Sequence, residues 1–255
     1  MCLIFLAVNH HPAYPLIIAA NRDEFYNRQT APADYWPDHP TILGGRDLEA
    51  QGTWMAMTTS GRISMITNYR DPQHIDPKAP SRGQLVSDFL ISEQTAPEYL
   101  KQLESNGKRY NGYNLIVGNF KALHYYSNYR QGIDLIPKGI HGLSNHLLDT
   151  PWPKVAHGKK QFHDLLQSPE LNAELLFQFL KNEDRAPDEL LPHTGIGLER
   201  ERALSSMFIK TSGYGTRSST VVFINQQHQV YFTERVYNLQ TFAHIDRTYS
   251  FQIHK

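Results

Sequence analysis

The chain has one cysteine, Cys2, placed so that removal of Met1 makes it the N-terminal residue. A residue carrying both a thiol and a free α-amine is a nucleophile and a base in one. Reference pKa values of about 7.7–8.0 for the amine and about 8.5 for the thiol allow proton exchange near neutrality. Activation by a terminal amine is a known variant of the nucleophile–base pair. The competing reading is a small apolar residue in a buried strand, which is common for free cysteine. Asn21-Arg22-Asp23-Glu24 stands at the end of the next apolar run. A guanidinium near the thiol favours thiolate, and a carboxylate near the amine orients it. In an extended strand Arg22 and Glu24 share one face, and Asn21 and Asp23 the other. All four reach Cys2 only through a bulge or a turn; without chemistry, the run is a solvated strand end.

Two later stretches extend the candidate site. Asn145, in Gly142-Leu143-Ser144-Asn145-His146, offers an amide that donates to an oxyanion when preorganised. Arg217 stands just ahead of an apolar run, at a strand mouth where it can hold a carboxylate or an oxyanion. Each alone suits an ordinary turn. The 13 histidines form no distinctive ligand pattern. His10-His11 reads as a polar turn and His146 as a residue that positions its loop, so no metal site is expected. One cysteine excludes an intramolecular disulfide and a multi-cysteine metal centre, and it suits a reducing compartment.

The elements that must position these residues read as follows. Residues 3–8 and 15–20 form a hairpin of buried strands, followed by a long ordered loop over 25–40 and a turn at 43–47. Residues 53–58 and 62–69 form a second hairpin around Thr59-Ser60-Gly61. Helical periods cover 81–92, with Ser81 as cap, and 96–104. Strands follow at 113–118 and 122–127, a loop over 139–150, and helices over 155–166, 172–181 and 198–206. The chain closes with strands at 218–225 and 230–235 and a weaker one near 249–253. Strands and helices come in blocks, so a doubly wound parallel sheet is unsuitable and two mostly antiparallel sheets with helices outside fit better. No repeat or linker divides the 255 residues, which reads as one domain over 1–255.

Lys plus Arg and Asp plus Glu are 25 each, so net charge points to neither nucleic acid nor an anionic membrane. No stretch reaches the roughly 18–20 apolar residues that cross a bilayer, and the opening run lacks the basic flank of a secretory signal. The expectation is a cytoplasmic protein with no transmembrane segment.

The Met-Cys start, Ala20-Asn-Arg-Asp-Glu-Phe25, Leu43-Gly-Gly-Arg-Asp47, Gly52-Thr-Trp54, Thr67-Asn-Tyr-Arg70, Gly142-Leu-Ser-Asn-His146 and Thr150-Pro-Trp-Pro-Lys154 together resemble the NRDE family of transport-and-Golgi-organisation proteins. The resemblance implies an α+β fold, a four-layer αββα Ntn-hydrolase-like sandwich of two mostly antiparallel sheets. It implies distant kinship with N-terminal-cysteine amidases such as bile-salt hydrolases and penicillin V acylases. Carried over, Cys2, Arg22, Asp23, Asn145 and Arg217 take the catalytic places. Asn68 becomes a backbone donor to an oxyanion, and Asn21, Glu24 and Arg217 are ligand-binding candidates. In the amidases the arginine and aspartate stand three positions apart, whereas Arg22 and Asp23 are adjacent here. The family is also associated with haem trafficking. Haem, or another apolar carboxylate-bearing small molecule, is then cargo, with no cofactor required for catalysis. Phe25, Tyr26, Tyr35 and Trp36 are candidate apolar walls for such a ligand. The alternatives are cleavage of a non-peptide amide by Cys2 and non-catalytic binding of an acyl or lipid-like metabolite.

Overall fold

The computed structural model describes residues 2–253; Met1, whose removal the amine chemistry requires, lies outside the described residues. Strand β1 (Cys2–Val8) and β2 (Leu16–Phe25) pair antiparallel, and every residue of β1 is buried. Next come β3 (Thr30–Trp36), β4 (His39–Asp47), β5 (Met55–Thr58) and β6 (Arg62–Asn68). Helices α1 (Gly83–Ile91) and α2 (Ala96–Asn106) follow, then β7 (Tyr113–Asn119), β8 (Ala122–Ser127), β9 (Asp134–Leu135) and β10 (Gly139–Leu143). Helices α3 (Pro153–Leu165), α4 (Ala173–Leu180) and α5 (Leu198–Leu204) precede β11 (Lys210–Thr211), β12 (Tyr214–Ile224), β13 (Gln229–Tyr237) and β14 (His244–Gln252).

One sheet runs β10-β1-β2-β12-β13-β14, with β11 on β12; the other runs β3-β4-β5-β6-β7-β8-β9, and all pairs are antiparallel. Strand alternation sorts the side chains into layers. Ile4, Leu6, Ile18 and Ala20 face Leu43, Met55 and Met65 of the other sheet. Leu3, Phe5, Ile17 and Ala19 turn outward beneath Phe162, Leu176 and Phe179 of α3 and α4. The outer face of the second sheet is covered by Leu85, Phe89, Tyr99 and Leu103 of α1 and α2. The result is the αββα sandwich, in which β1 is apolar throughout because both its faces are buried. Each such large side chain contributes about 1.5–3 kcal/mol. Among the described residues, no helix is long and apolar enough to cross a membrane.

Several local expectations are corrected. Residues 25–40 are not a long loop, because β3 and the start of β4 occupy much of them. The signal is masked because Pro32 lies on an edge strand and the pairing slips between Ala31 and Asp34. The Ala33 N–H freed there donates to Glu234 of the opposite sheet at 2.6 Å. Leu43 to Asp47 lie within β4 rather than in a turn. Residues 139–143 form β10, which pairs with β1. Ser81 does not cap α1; Arg82 occupies that position and makes no side-chain capping bond. Asn172 does cap α4, and Thr95 with Glu98 forms a capping box on α2.

Candidate functional site

A cavity of about 290 Å3 opens where the ends of β1 and β2 meet β4, β6 and the segment 79–83. Cys2, Arg22, Asp23, Glu24 and Asn68 all line it. Cys2 pairs directly with Arg22, so thiol and guanidinium lie on the same face, between the sheets. Burial pushes the thiol up from its ordinary pKa, opposed in part by the Arg22 charge and the Asp23 backbone N–H. The Arg22 guanidinium lies 3.9 Å above the Trp54 ring and donates from Nη1 to Thr30 Oγ1 at 3.1 Å. Gly45 makes this stack possible, since a Cβ there would lie 2.2 Å from the indole. The Gly44-Gly45 pair thus serves close approach within a strand.

The bulge beside these residues is on β12, not β2. Asp23 pairs with Thr216 and Arg22 with Ser218, leaving Arg217 as the extra residue. Ile209 N–H donates to Thr216 Oγ1 at 2.9 Å, and that hydroxyl donates to Asp23 Oδ1 at 2.7 Å. Burial raises the Asp23 pKa, and the Lys154 ammonium on α3 opposes the shift most strongly. Lys154 donates from Nζ to Leu204 O at 2.9 Å and is lowered to about 8, first by burial and against the pull of Asp23. A buried cation thus stands behind the aspartate, on the helical side of the sheet.

That pair has a pH signature. Lys154 has a folded pKa of about 8 against an ordinary 10.5, so between these values the unfolded chain holds a proton that the folded chain has released. Its burial therefore opposes folding most fully below pH 8, and the cost fades as pH rises towards 10.5. Urea unfolding of wild type and Lys154→Met should show the wild type gaining on the variant by about 3 kcal/mol over that interval. A pH-independent difference would contradict the assignment.

Glu24 accepts the Phe25 N–H at 2.8 Å. Burial works against its ionisation, yet this bond and the Arg22 and Arg28 charges hold its carboxyl below the ordinary value. Three other candidates do not line the cavity. Asn21 faces the helical layer, donating to Leu180 O at 2.8 Å and Met207 O at 2.9 Å and accepting from Ser219 Oγ at 2.6 Å. Asn145 donates from Nδ2 to Asn68 O at 3.0 Å, while its own carbonyl accepts the Arg70 N–H at 2.7 Å. It therefore holds the end of β6, and reaches the cavity through Asn68. Arg217 donates to Phe25 O at 2.8 Å and to Arg28 O, fastening the turn after β2. Phe25, Tyr26, Tyr35 and Trp36 do not wall the cavity either. Trp36 is buried on the α1 side with Nε1 on Gly44 O at 2.9 Å, and Phe25 projects from the surface.

Arg28, Asp47, Trp54 and Arg82 also line the wall and were not among the site residues expected from sequence. Arg28 is paired with Asp47 at 2.7 Å. Arg82 reaches the cavity because the backbones at Gly52 and Gly83 touch, with Thr53 N–H donating to Gly83 O at 3.2 Å. A Cβ on Gly52 would lie 2.5 Å from the Gly83 carbonyl carbon, so backbone would have to move. Gly52→Ala is expected to cost about 1–3 kcal/mol in denaturant unfolding and to weaken whatever the cavity binds. Lys154 was detectable in principle, since it begins the buried stripe of α3 continued by Gly158 and Phe162. A lysine in that stripe is the signal.

The family model described as Transport and Golgi organisation 2 matches residues 1–239. The human Transport and Golgi organization protein 2 homolog is 36% identical over 276 residues, covering 99% of each chain. The mouse homolog is 36% identical over 256 residues, covering 92% of each. Among solved structures, a Caenorhabditis elegans N-acylethanolamine-hydrolyzing acid amidase ortholog superposes with a TM-score of 0.51 at 11% identity, covering 86% of this chain and 92% of that one. A mutant conjugated bile acid hydrolase from Clostridium perfringens gives 0.52 at 8% identity, covering 99% and 98%. At such identities the likeness is one of fold.

Proposed function

This chain belongs to the Transport and Golgi organisation 2 family, and we propose that it cleaves the C–N bond of a small non-peptide amide, with Cys2 as nucleophile. The observation that carries the reading is the placement of the lone thiol against Arg22 and Asp23 on a single cavity wall. Once Met1 is removed, the α-amine of Cys2 takes the thiol proton as Sγ attacks the amide carbonyl, and returns it to the departing amine. Water then hydrolyses the thioester, releasing the acid and restoring the thiol. Asp23, buried beside the same backbone, orients the amine and stabilises its charge. No cofactor enters this sequence, and the protein works in the cytoplasm, where a single thiol stays reduced.

Intact-mass measurement tests the premise: retention of Met1 on all of the purified protein ends this mechanism. With Met1 removed, wild-type protein is expected to release amine from a panel of small acyl amides, and silence across the panel counts against the reading.

A second reading, haem as cargo, is favoured by the guanidinium groups of Arg22 and Arg82 on the wall, which suit the two carboxylates of haem. A volume of about 290 Å3 lies at the lower edge of sites that enclose a drug-sized ligand. Haem therefore seats its carboxylate edge in the cavity and leaves the macrocycle at the mouth. A saturable Soret shift on titrating haem supports this reading, and its absence at low micromolar protein sinks it.

A further inference from the structure

We propose that Arg22 and Arg82 form a clamp for an acidic group on the ligand that enters the cavity, and that Arg82 sets the preference for anionic over neutral substrates. The inference rests on the cavity's being the functional site, and only its turnover arm depends on the amidase reading.

The cationic side chains of the wall differ in whether a carboxylate already meets them. Arg28 is committed: it bonds Asp47 from Nε at 2.8 Å and from Nη2 at 2.7 Å, with Glu49 at 3.8 Å. Arg22 and Arg82 have no carboxylate within ion-pair distance among the described residues, and their hydrogen bonds go to neutral oxygens. Arg22 spends Nη1 on Thr30 Oγ1, and Arg82 spends Nη1 on Gly112 O at 2.9 Å. Arg22 is only 5% exposed. Burial presses against the charge of both guanidinia. Taking a cation out of water without a counter-ion is unfavourable, and an anion arriving between two such groups removes that penalty. The Glu24 charge favours both guanidinia from a distance, but Glu24 forms no ion pair with either and accepts the Phe25 N–H.

A planar fork on each arginine suits carboxylate or phosphate oxygens. The cavity is small, so the acidic group and a few neighbouring atoms fill it, and any longer chain extends outward.

Calorimetric titration of the full chain with glutarate, inorganic phosphate and the neutral glutaramide tests the clamp. At least one anion is expected to bind saturably while glutaramide does not; which of the two binds more tightly assigns carboxylate or phosphate. Arg82→Gln and Arg22→Gln should each weaken that anion by about 10- to 100-fold, as expected for a charge-assisted contact. Arg82→Lys, which keeps the charge, should recover part of the loss, and thermal melts confirm that each variant is folded. In turnover, glutaryl p-nitroanilide is expected to exceed valeryl p-nitroanilide in kcat/KM, and Arg82→Gln to collapse that ratio mainly through KM. Anion binding that is unchanged in both glutamine variants, or equal binding of glutaramide, overturns the clamp. Arginine-dependent anion binding without any amide turnover leaves the clamp standing and removes the amidase reading.

Discussion

Replacing Cys2 with alanine is expected to abolish amide turnover, by about 10⁴- to 10⁶-fold in kcat as for removal of other nucleophiles that act within a unit, while leaving the fold in place. The stability cost is small because only one sulfur is lost from the edge of a cavity, worth about 1 kcal/mol. Cys2→Ser retains a nucleophilic atom of far higher pKa and should fall close to the alanine variant. A sharper comparison extends the N-terminus by one residue after protease trimming. The thiol survives, but the α-amine becomes an amide nitrogen and can no longer take a proton. Turnover should fall nearly as far as with alanine, although the thiol remains open to alkylation. Full activity in the extended protein would exclude the amine as base, and full activity in Cys2→Ala would exclude Cys2 altogether. Burial raises the thiol pKa, so alkylation in the absence of substrate should be slow at neutral pH and quicken as pH rises.

The sequence made the core legible where one signal governs each position. β1 and β2 are apolar on successive residues because sheet and helices cover both faces, and that pattern needs no knowledge of distant contacts. Where two signals compete, local reading failed. Gly44-Gly45 resembles a turn, but the glycines are there because Ala56 and the Trp54 ring press on the strand. Pro32 argues against a strand until Glu234, on the opposite sheet, supplies the acceptor for Ala33.

The same distinction divides the candidate site. Cys2, Arg22, Asp23 and Glu24 are adjacent in sequence or across one hairpin, so their meeting was within reach. Arg217 and Asn145 were placed at the site by type and position, yet their hydrogen bonds are spent on Phe25, Arg28 and Asn68 carbonyls. Arg82 arrives only because Gly52 lets two backbones touch across 31 positions, which no local pattern records. A polar residue's type announces that it can do chemistry; its partners decide whether it is left free to do so.

Glu201→Gln is expected to be the most destabilising conservative change outside the apolar core. Glu201 Oε2 meets Arg70 Nη1 at 2.8 Å, and the two side chains are 5% and 6% exposed respectively. Glu201 Oε1 accepts from Thr194 N at 2.9 Å and Thr194 Oγ1 at 2.6 Å, so the carboxylate ties the segment before α5 to the strap after β6. The substitution keeps size and shape but removes the negative charge facing the buried Arg70 guanidinium, at a cost of about 3–5 kcal/mol. Against a total stability of about 5–15 kcal/mol that is a large share. The effect should also reach the cavity. Arg70 N–H holds the Asn145 carbonyl, and the Asn145 amide holds the Asn68 carbonyl at the cavity wall. Urea unfolding should therefore show the stability loss, and glutarate titration of the folded variant should show weaker binding although residue 201 does not line the cavity. Replacing both partners, as Arg70→Met with Glu201→Met, removes the buried guanidinium together with its counter-charge and should recover much of the stability. If the double variant is no more stable than Glu201→Gln, the cost lies in the lost Thr194 bonds and not in the buried charge.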